Sequence, residues 1–229
     1  LGTAGETPLQ TELILKRYLG KINPEFVIYE INPEWFTTTR IESALDILSN
    51  LPSIDHNAII MAIRINKIKV YNTLIYSFYK SNLFPDKNFK EPKKKNGELY
   101  VSGGGYVEGR MRNYRPEKLK SKKLLLLDAN KAAFERSIKK IEEKGLPLIL
   151  IMPPVSKNLY SSFENIDEVE KYFSSKALFN NFNGLIKLND TIHFGDARHL
   201  NQDGVVIFNQ ALIKYLKDDL NLFNEHGLK

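Results

Sequence analysis

The strongest chemical signal in the sequence is an aspartate three residues before a histidine, Asp196 and His199, in the stretch FGDARHLNQDG (194–204). An imidazole can take a proton from a hydroxyl group and return it to a leaving group near neutral pH. A carboxylate beside it fixes the ring tautomer and stabilises the imidazolium form. The spacing therefore indicates an acid–base pair for nucleophilic catalysis, although chance or helix capping accounts for most Asp-x-x-His pairs.

Two other stretches are predicted to be loops that could contribute to the same site. LGTAGETP (1–8) contains Gly5 and leads into the predicted helix 7–19. EINPEWF (30–36) contains Asn32 and lies at the end of a predicted strand. Trp35 and Phe36 follow and are candidates for an acyl or sugar pocket, with core packing as the alternative. Purely structural roles, a helix start at Gly5 and a turn at Asn32, are also open.

Other kinds of site have little support. The chain has no cysteine, which excludes disulfides, thiolate metal sites and a cysteine nucleophile. His193 has no second ligand at metal spacing, so we predict neither a metal nor a cofactor. Ser102, in YVSGGGY (100–106), lacks a G-x-S-x-G elbow and is interpreted as part of a flexible turn.

The hydrophobic pattern predicts strands separated by long helices. Apolar runs at 25–31 and 146–154 are typical of buried strands, and 184–190 is a weaker third candidate. Helices are expected at 7–19, 41–50, 57–84, 123–145, 166–178 and after Asn201. This alternation predicts an α/β fold, a three-layer α/β/α sandwich with a mainly parallel sheet. Ligands bind beyond the carboxyl ends of such strands, where the three candidate loops are expected.

Composition limits the class of protein. With 229 residues and 42% hydrophobic residues, the chain is predicted to form a single domain, 1–229. Its net charge of +6 comes largely from a basic insertion at about 85–121. No zinc-finger spacing or RNA-binding aromatic signature accompanies it, so we expect a solvated surface and no nucleic-acid partner. Contact with an anionic substrate or a membrane surface is the alternative.

In their order, these blocks resemble the SGNH (GDSL-like) hydrolase family. LGTAGET is similar to the glycine block, with Gly5 at the oxyanion-hole position, and YEINP to the asparagine block, with Asn32. DARHLNQDG is similar to the Asp-x-x-His block, and the Leu-Asn-x-x-Gly of Leu200–Gly204 is also usual there. The resemblance covers residue 1 to about 216 and implies a flavodoxin-like SGNH hydrolase fold.

The chain departs from this family pattern at two places. The block with the nucleophilic serine is absent and is expected upstream of residue 1. In the asparagine block, Glu30 replaces a common glycine and Pro33 replaces a common aspartate. Both changes bear on the shape of the oxyanion loop.

The resemblance implies a serine esterase or acyltransferase that acts on an O-acylated substrate, a cell-envelope carbohydrate being the class we favour. The alternative is a non-catalytic SGNH-fold protein that binds a glycan or a protein partner. The resemblance also implies an extracytoplasmic location (periplasmic, secreted or membrane-anchored). We further expect membrane association through a segment before Leu1, because a signal or anchor could lie there.

Overall fold

The computed structural model describes residues 5–83, 93–95, 98–101, 105–108 and 114–222. The chain divides into two compact units. Unit 1 comprises Leu1–Phe89, Lys123–Ile151 and Asn165–Asn180, and unit 2 comprises Lys90–Lys122, Met152–Glu164 and Asn181–Lys229. None of the helices within these described ranges is long and apolar enough to cross a membrane.

The described residues form both helices and strands. The helices are α1 (Pro8–Ile22), α2 (Pro33–Phe36), α3 (Glu42–Asn50), α4 (His56–Ile65), α5 (Ile68–Leu83), α6 (Asp128–Glu142), α7 (Lys157–Tyr160), α8 (Ile166–Ser174), α9 (Asp190–His193) and α10 (Gln202–Lys214), with a π-helical turn at Tyr215–Asp219. The strands are β1 (Val27–Glu30), β2 (Lys94–Lys95), β3 (Glu98–Val101), β4 (Gly105–Glu108), β5 (Leu148–Met152) and β6 (Leu178–Asn181).

The principal sheet has three parallel strands in the order β1-β5-β6. β1 pairs with β5 in a register that runs from Val27 opposite Leu148 to Glu30 opposite Ile151. β5 has the sequence LILIM and is buried along almost its whole length, as its continuous apolar run predicts. The predicted α/β class and the parallel sheet are therefore confirmed.

Unit 1 owes its core mainly to helices. A cluster of buried apolar side chains joins α1, α3, α4, α5 and α6, and includes Leu13, Leu48, Met61 and Ala133. α1 begins where the sequence predicts, with Thr7 preceding Pro8, and the Thr7 backbone N–H donates to the Gln10 side chain at 2.7 Å. This contact fixes the chain directly after Gly5.

The predicted helices 57–84 and 123–145 differ from the structure. The expected helix 57–84 is two helices, because Asn66 adopts a left-handed conformation (φ 49°) that ends α4. The expected helix 123–145 begins only at Asp128. The backbone N–H of Leu124 instead donates to the Asn165 side chain at 2.8 Å, which holds the leucine run extended.

The third strand of the principal sheet lies elsewhere than predicted. Residues 184–190 contain a turn at Gly184 (φ 81°) and no strand, so that prediction is wrong. The third strand is β6. The predicted helix 166–178 overlaps the start of β6, but the observed helix α8 ends at Ser174. Just past β6, the Phe182 backbone N–H donates to the Met152 carbonyl at 3.0 Å, a long-range bond that local sequence does not reveal.

The basic insertion is more regular than the sequence indicates. β2, β3 and β4 form a small antiparallel sheet, in which β3 pairs with β4 from Glu98 opposite Glu108 to Val101 opposite Gly105. No periodic pattern had predicted strands here, and strands of four residues or fewer carry too little alternation to be recognised. Ser102 and parts of the segment 85–121 lie outside the described residues.

Candidate functional site

The Asp-x-x-His motif occupies a tight loop in unit 2. Phe194 and Leu200 form an antiparallel bridge across its base, and the Gly195 backbone N–H donates to the His199 carbonyl at 2.9 Å. Asp196 lies within the loop, where its Oδ1 accepts the backbone N–H groups of Arg198 (2.7 Å) and His199 (3.0 Å). The carboxylate is thus oriented by its own loop before it meets the imidazole.

The two side chains of the motif contact each other directly. His199 Nδ1 lies 2.8 Å from Asp196 Oδ2 and 3.0 Å from Oδ1. The imidazole is 71% exposed and the carboxylate 56% exposed, and Nε2 has no hydrogen-bond partner among the described residues. This arrangement fixes the imidazole by Nδ1 while most of its side chain remains exposed.

The charge state of Asp196 suits this contact. Partial burial acts to raise the pKa of Asp196, but hydrogen bonds from the His199 ring and the Arg198 backbone outweigh burial and lower the pKa below its ordinary value. The carboxylate therefore stays ionised at neutral pH and can stabilise an imidazolium beside it.

Neighbouring segments of unit 2 hold the loop. The Tyr114 backbone N–H donates to the Phe194 carbonyl at 2.8 Å, and the Ser156 backbone N–H donates to the Ala197 carbonyl at 3.0 Å. The Phe194 side chain is only 1% exposed, which anchors the base of the loop. Ser156 itself is fully buried and its hydroxyl donates to Asn158, so it does not offer a free nucleophile beside the histidine.

The residues after His199 join the loop to α10. Asn201 caps the helix by accepting the Gly204 backbone N–H at 3.1 Å, and its Nδ2 donates to the Ile192 carbonyl at 2.5 Å. A Cβ on Gly204 would overlap the His193 carbonyl. The Asn-x-x-Gly part of the pattern is thus explained locally, since the cap needs Asn201 and the close backbone approach needs Gly204.

Gly5 lies in unit 1, at a turn that only glycine adopts readily. Its φ is +69°, and a Cβ there would lie 2.8 Å from an Arg40 guanidinium nitrogen. The segment around Arg40 is tied to this turn, because Gln10 Nε2 donates to the Arg40 carbonyl at 3.1 Å and Ser43 Oγ donates to the Gly5 carbonyl at 3.3 Å. Both the backbone conformation and the neighbouring cation favour glycine at this position.

Asn32 also belongs to unit 1, and it lies just past the carboxyl end of β1. Its Oδ1 accepts the Glu34 backbone N–H at 3.1 Å and caps α2. Within the described part of the chain, its Nδ2 has no partner and remains able to donate. The turn role and the donor role are therefore compatible.

Trp35 and Phe36 differ in their surroundings. Phe36 is 2% exposed and packs edge-to-face against Phe134 and Phe173, with centroid distances of 5.3 and 4.9 Å. Its ring belongs to the core, the alternative that its sequence context left open. Trp35 is partly exposed, and the Arg40 guanidinium lies 4.4 Å from its ring centroid.

Two residues of this region escaped sequence analysis. Arg40 contacts Trp35 and lies next to Gly5, but an arginine after three threonines shows no informative spacing. Asn130 is fully buried, and its Nδ2 donates to the carbonyls of Phe36 (3.0 Å) and Thr38 (2.9 Å), which fixes the segment after α2. Only long-range contacts reveal either role.

The described residues show no metal site. His193 Nδ1 accepts the Asn189 backbone N–H at 2.8 Å, a local capping contact. No cluster of three or more His, Asp or Glu side chains with metal-binding geometry occurs in the described ranges. Comparison with known proteins adds no assignment, since neither the protein-family models nor the curated proteins yield a match to this chain.

The structure therefore assembles the candidate residues in two local groups. In unit 2, Asp196 and His199 form a hydrogen-bonded dyad with an exposed imidazole. In unit 1, Gly5 and Trp35 both neighbour Arg40, and Asn32 begins the short helix that contains Trp35. The first group can transfer a proton, and the second offers hydrogen-bond donors and an aromatic surface.

Proposed function

We propose that this protein is a serine ester hydrolase or acyltransferase of SGNH type that acts on an O-acylated substrate, most suitably a cell-envelope carbohydrate. One observation carries the proposal. Asp196 holds the 71% exposed His199 side chain by Nδ1, which is the arrangement that a general base for a hydroxyl nucleophile requires. Helix capping alone does not account for it, because Asn201 and not Asp196 caps α10.

In the proposed reaction, His199 Nε2 takes the proton of a serine hydroxyl as the serine oxygen bonds to the acyl carbon. The ester C–O bond then breaks, and the imidazolium returns the proton to the departing alcohol. Water, or an acceptor hydroxyl in a transferase, attacks the acyl-enzyme by the same steps in reverse. Asp196 stabilises the imidazolium throughout. The serine of this step is the nucleophile that the family resemblance implies.

The oxyanion donors in this proposal are the Gly5 backbone N–H and Asn32 Nδ2. Support for Asn32 comes from its unpaired Nδ2 within the described residues, and support for Gly5 from its left-handed turn. Each such donor typically contributes about 3 kcal/mol to transition-state stabilisation. Trp35, partly exposed beside Arg40, is the proposed contact for the acyl or sugar group.

The experiment is covalent labelling of the full-length protein with a fluorophosphonate probe, followed by peptide mass spectrometry. We expect one labelled serine in wild-type protein and strongly reduced labelling in His199→Ala. The matched control is His56→Ala, which removes another exposed histidine. Absence of any labelled serine, together with salt-sensitive binding of an acidic polymer, would contradict the proposal and support a non-catalytic glycan-binding protein.

A further inference from the structure

The outer face of α5 is apolar although the helix is already anchored in unit 1. Ile68, Ile75, Tyr79 and Leu83 project from one side of the helix, and each is between 55% and 73% exposed. Their spacing of seven, four and four residues aligns them in one stripe, which we call the α5 stripe. Most surface helices carry charged and polar residues on this side.

The opposite side of α5 supplies the contacts that hold the helix. Val70 is fully buried in the main core cluster, and Tyr71 and Leu74 pack against that cluster. Ser77 is also buried, one turn further along. The α5 stripe therefore lies outside the buried cluster of unit 1, and its apolar composition calls for another explanation.

Large aromatic side chains border the α5 stripe. Tyr76 is 61% exposed and Phe78 is 51% exposed, so exposed apolar groups extend over most of the outer half of the helix. Contiguous exposed apolar surface of this kind marks binding sites in soluble proteins. Tyrosine in particular is enriched where an apolar phase meets water.

The charge pattern around the α5 stripe indicates which partner it fits. Residues 56–83 contain four basic residues and no aspartate or glutamate. One of the four, Arg64, is paired with Glu12 at 2.7 Å. The other three are Lys67, Lys69 and Lys80, of which the first two are exposed. Within residues 56–83 the surface is thus apolar and aromatic, and its charged side chains are cationic.

We propose that α5 binds the surface of an anionic lipid bilayer, with the helix lying in the interface. The α5 stripe would enter the boundary between headgroups and acyl chains, and the lysines would contact anionic headgroups. A second copy of the chain fits less well, because self-association through this face would bring lysines together and residues 56–83 offer no acidic side chain to oppose them. The proposal stands independently of the esterase proposal.

The test is sedimentation of the full-length protein with phosphatidylcholine vesicles, with and without phosphatidylglycerol. We expect binding to the anionic vesicles, weakened about tenfold or more by Ile75→Ser with Leu83→Ser. The matched control is Leu125→Ser with Leu185→Ser, two equally exposed leucines elsewhere in the chain. Lys67→Glu with Lys69→Glu should also weaken binding, whereas Lys118→Glu with Lys139→Glu should do so less.

Tryptophan fluorescence reports whether the α5 stripe itself inserts into the bilayer. A Tyr79→Trp variant should show a blue-shifted emission on addition of phosphatidylglycerol vesicles, beyond any change of the native Trp35 signal. Absence of vesicle binding, or binding that the control pairs weaken as much as the α5 pairs, would overturn the proposal. Lipid-independent dimerisation that Ile75→Ser with Leu83→Ser abolishes would also overturn it, and would identify the face as a contact between copies.

Discussion

At the scale of single residues, the Asp196–His199 dyad is held by hydrogen bonds and is also exposed to solvent. Three hydrogen-bond donors converge on the Asp196 carboxylate, two from its own loop and one from the His199 ring. Because these contacts lower the pKa of Asp196, the carboxylate remains ionised through the neutral and mildly acidic range. The imidazole thus keeps its orientation without being buried.

A substitution at Asn32 can separate the structural role of this residue from its proposed catalytic role. In Asn32→Asp, a carboxylate oxygen still accepts the Glu34 backbone N–H, so α2 keeps its cap, while the amide donor is lost. We expect the free energy of unfolding to change by no more than about 0.5 kcal/mol. Ester turnover should fall about 10²- to 10³-fold, because the proposed oxyanion donor is removed and a negative charge is added.

The control for this prediction is Asn189→Asp. Asn189 caps α9 with its side-chain oxygen, which accepts the Thr191 and Ile192 backbone N–H groups, and it has no proposed role in catalysis. Chemical denaturation and ester hydrolysis, measured on both variants, distinguish the two roles. Equal turnover in Asn32→Asp and Asn189→Asp would show that Asn32 acts only as a cap.

At the scale of secondary-structure elements, Glu12 joins three helices. Its buried carboxylate accepts two hydrogen bonds from Arg136 of α6 (2.9 and 2.8 Å) and one from Arg64 of α4 (2.7 Å). Lys16 adds a bond of 2.7 Å within α1. Burial acts to raise the pKa of Glu12, but these cations outweigh burial and lower the pKa to about 2.

Glu12→Gln should destabilise the protein by about 2–3 kcal/mol at neutral pH. This is below the cost of about 3–5 kcal/mol for a fully buried ion pair, since Arg64 and Arg136 are partly exposed and can be hydrated. A lowered pKa means that Glu12 contributes stability above about pH 4.5, and that this contribution is lost as the pH falls toward 2. The difference between wild type and variant should therefore shrink in that range.

The measurement is urea unfolding at several pH values, with Glu143→Gln as the control. Glu143 is 51% exposed and pairs with Lys140 at 3.5 Å, so its loss should cost no more than about 0.5 kcal/mol. If the Glu12→Gln difference stayed constant from neutral to strongly acidic pH, the carboxylate would not be the stabilising group that we infer.

At the scale of the whole molecule, sequence patterns predicted the elements that carry strong local signals. α1 begins after Thr7 and α10 after Asn201, because capping residues act within three positions of themselves. β5 was recognised from its continuous apolar run. Within the candidate site, the Asp196–His199 contact followed from local spacing alone.

The features that sequence analysis missed depend on distant partners or on single backbone conformations. β6 is defined by its place in the sheet, and Leu124 is held extended by Asn165, 41 positions away. The break between α4 and α5 depends on one left-handed residue, Asn66, inside a continuous helical pattern. Arg40 acquires its place beside Gly5 and Trp35 only through the fold.

The central claim is that His199 is the general base of a serine ester hydrolase, and hydrolysis of a small aryl ester tests it most directly. The account predicts measurable turnover by the full-length protein, a loss of at least about 10³-fold in His199→Ala, and wild-type turnover in His56→Ala. Circular dichroism should show that both variants are folded. Turnover by His199→Ala equal to that of wild type would contradict the account.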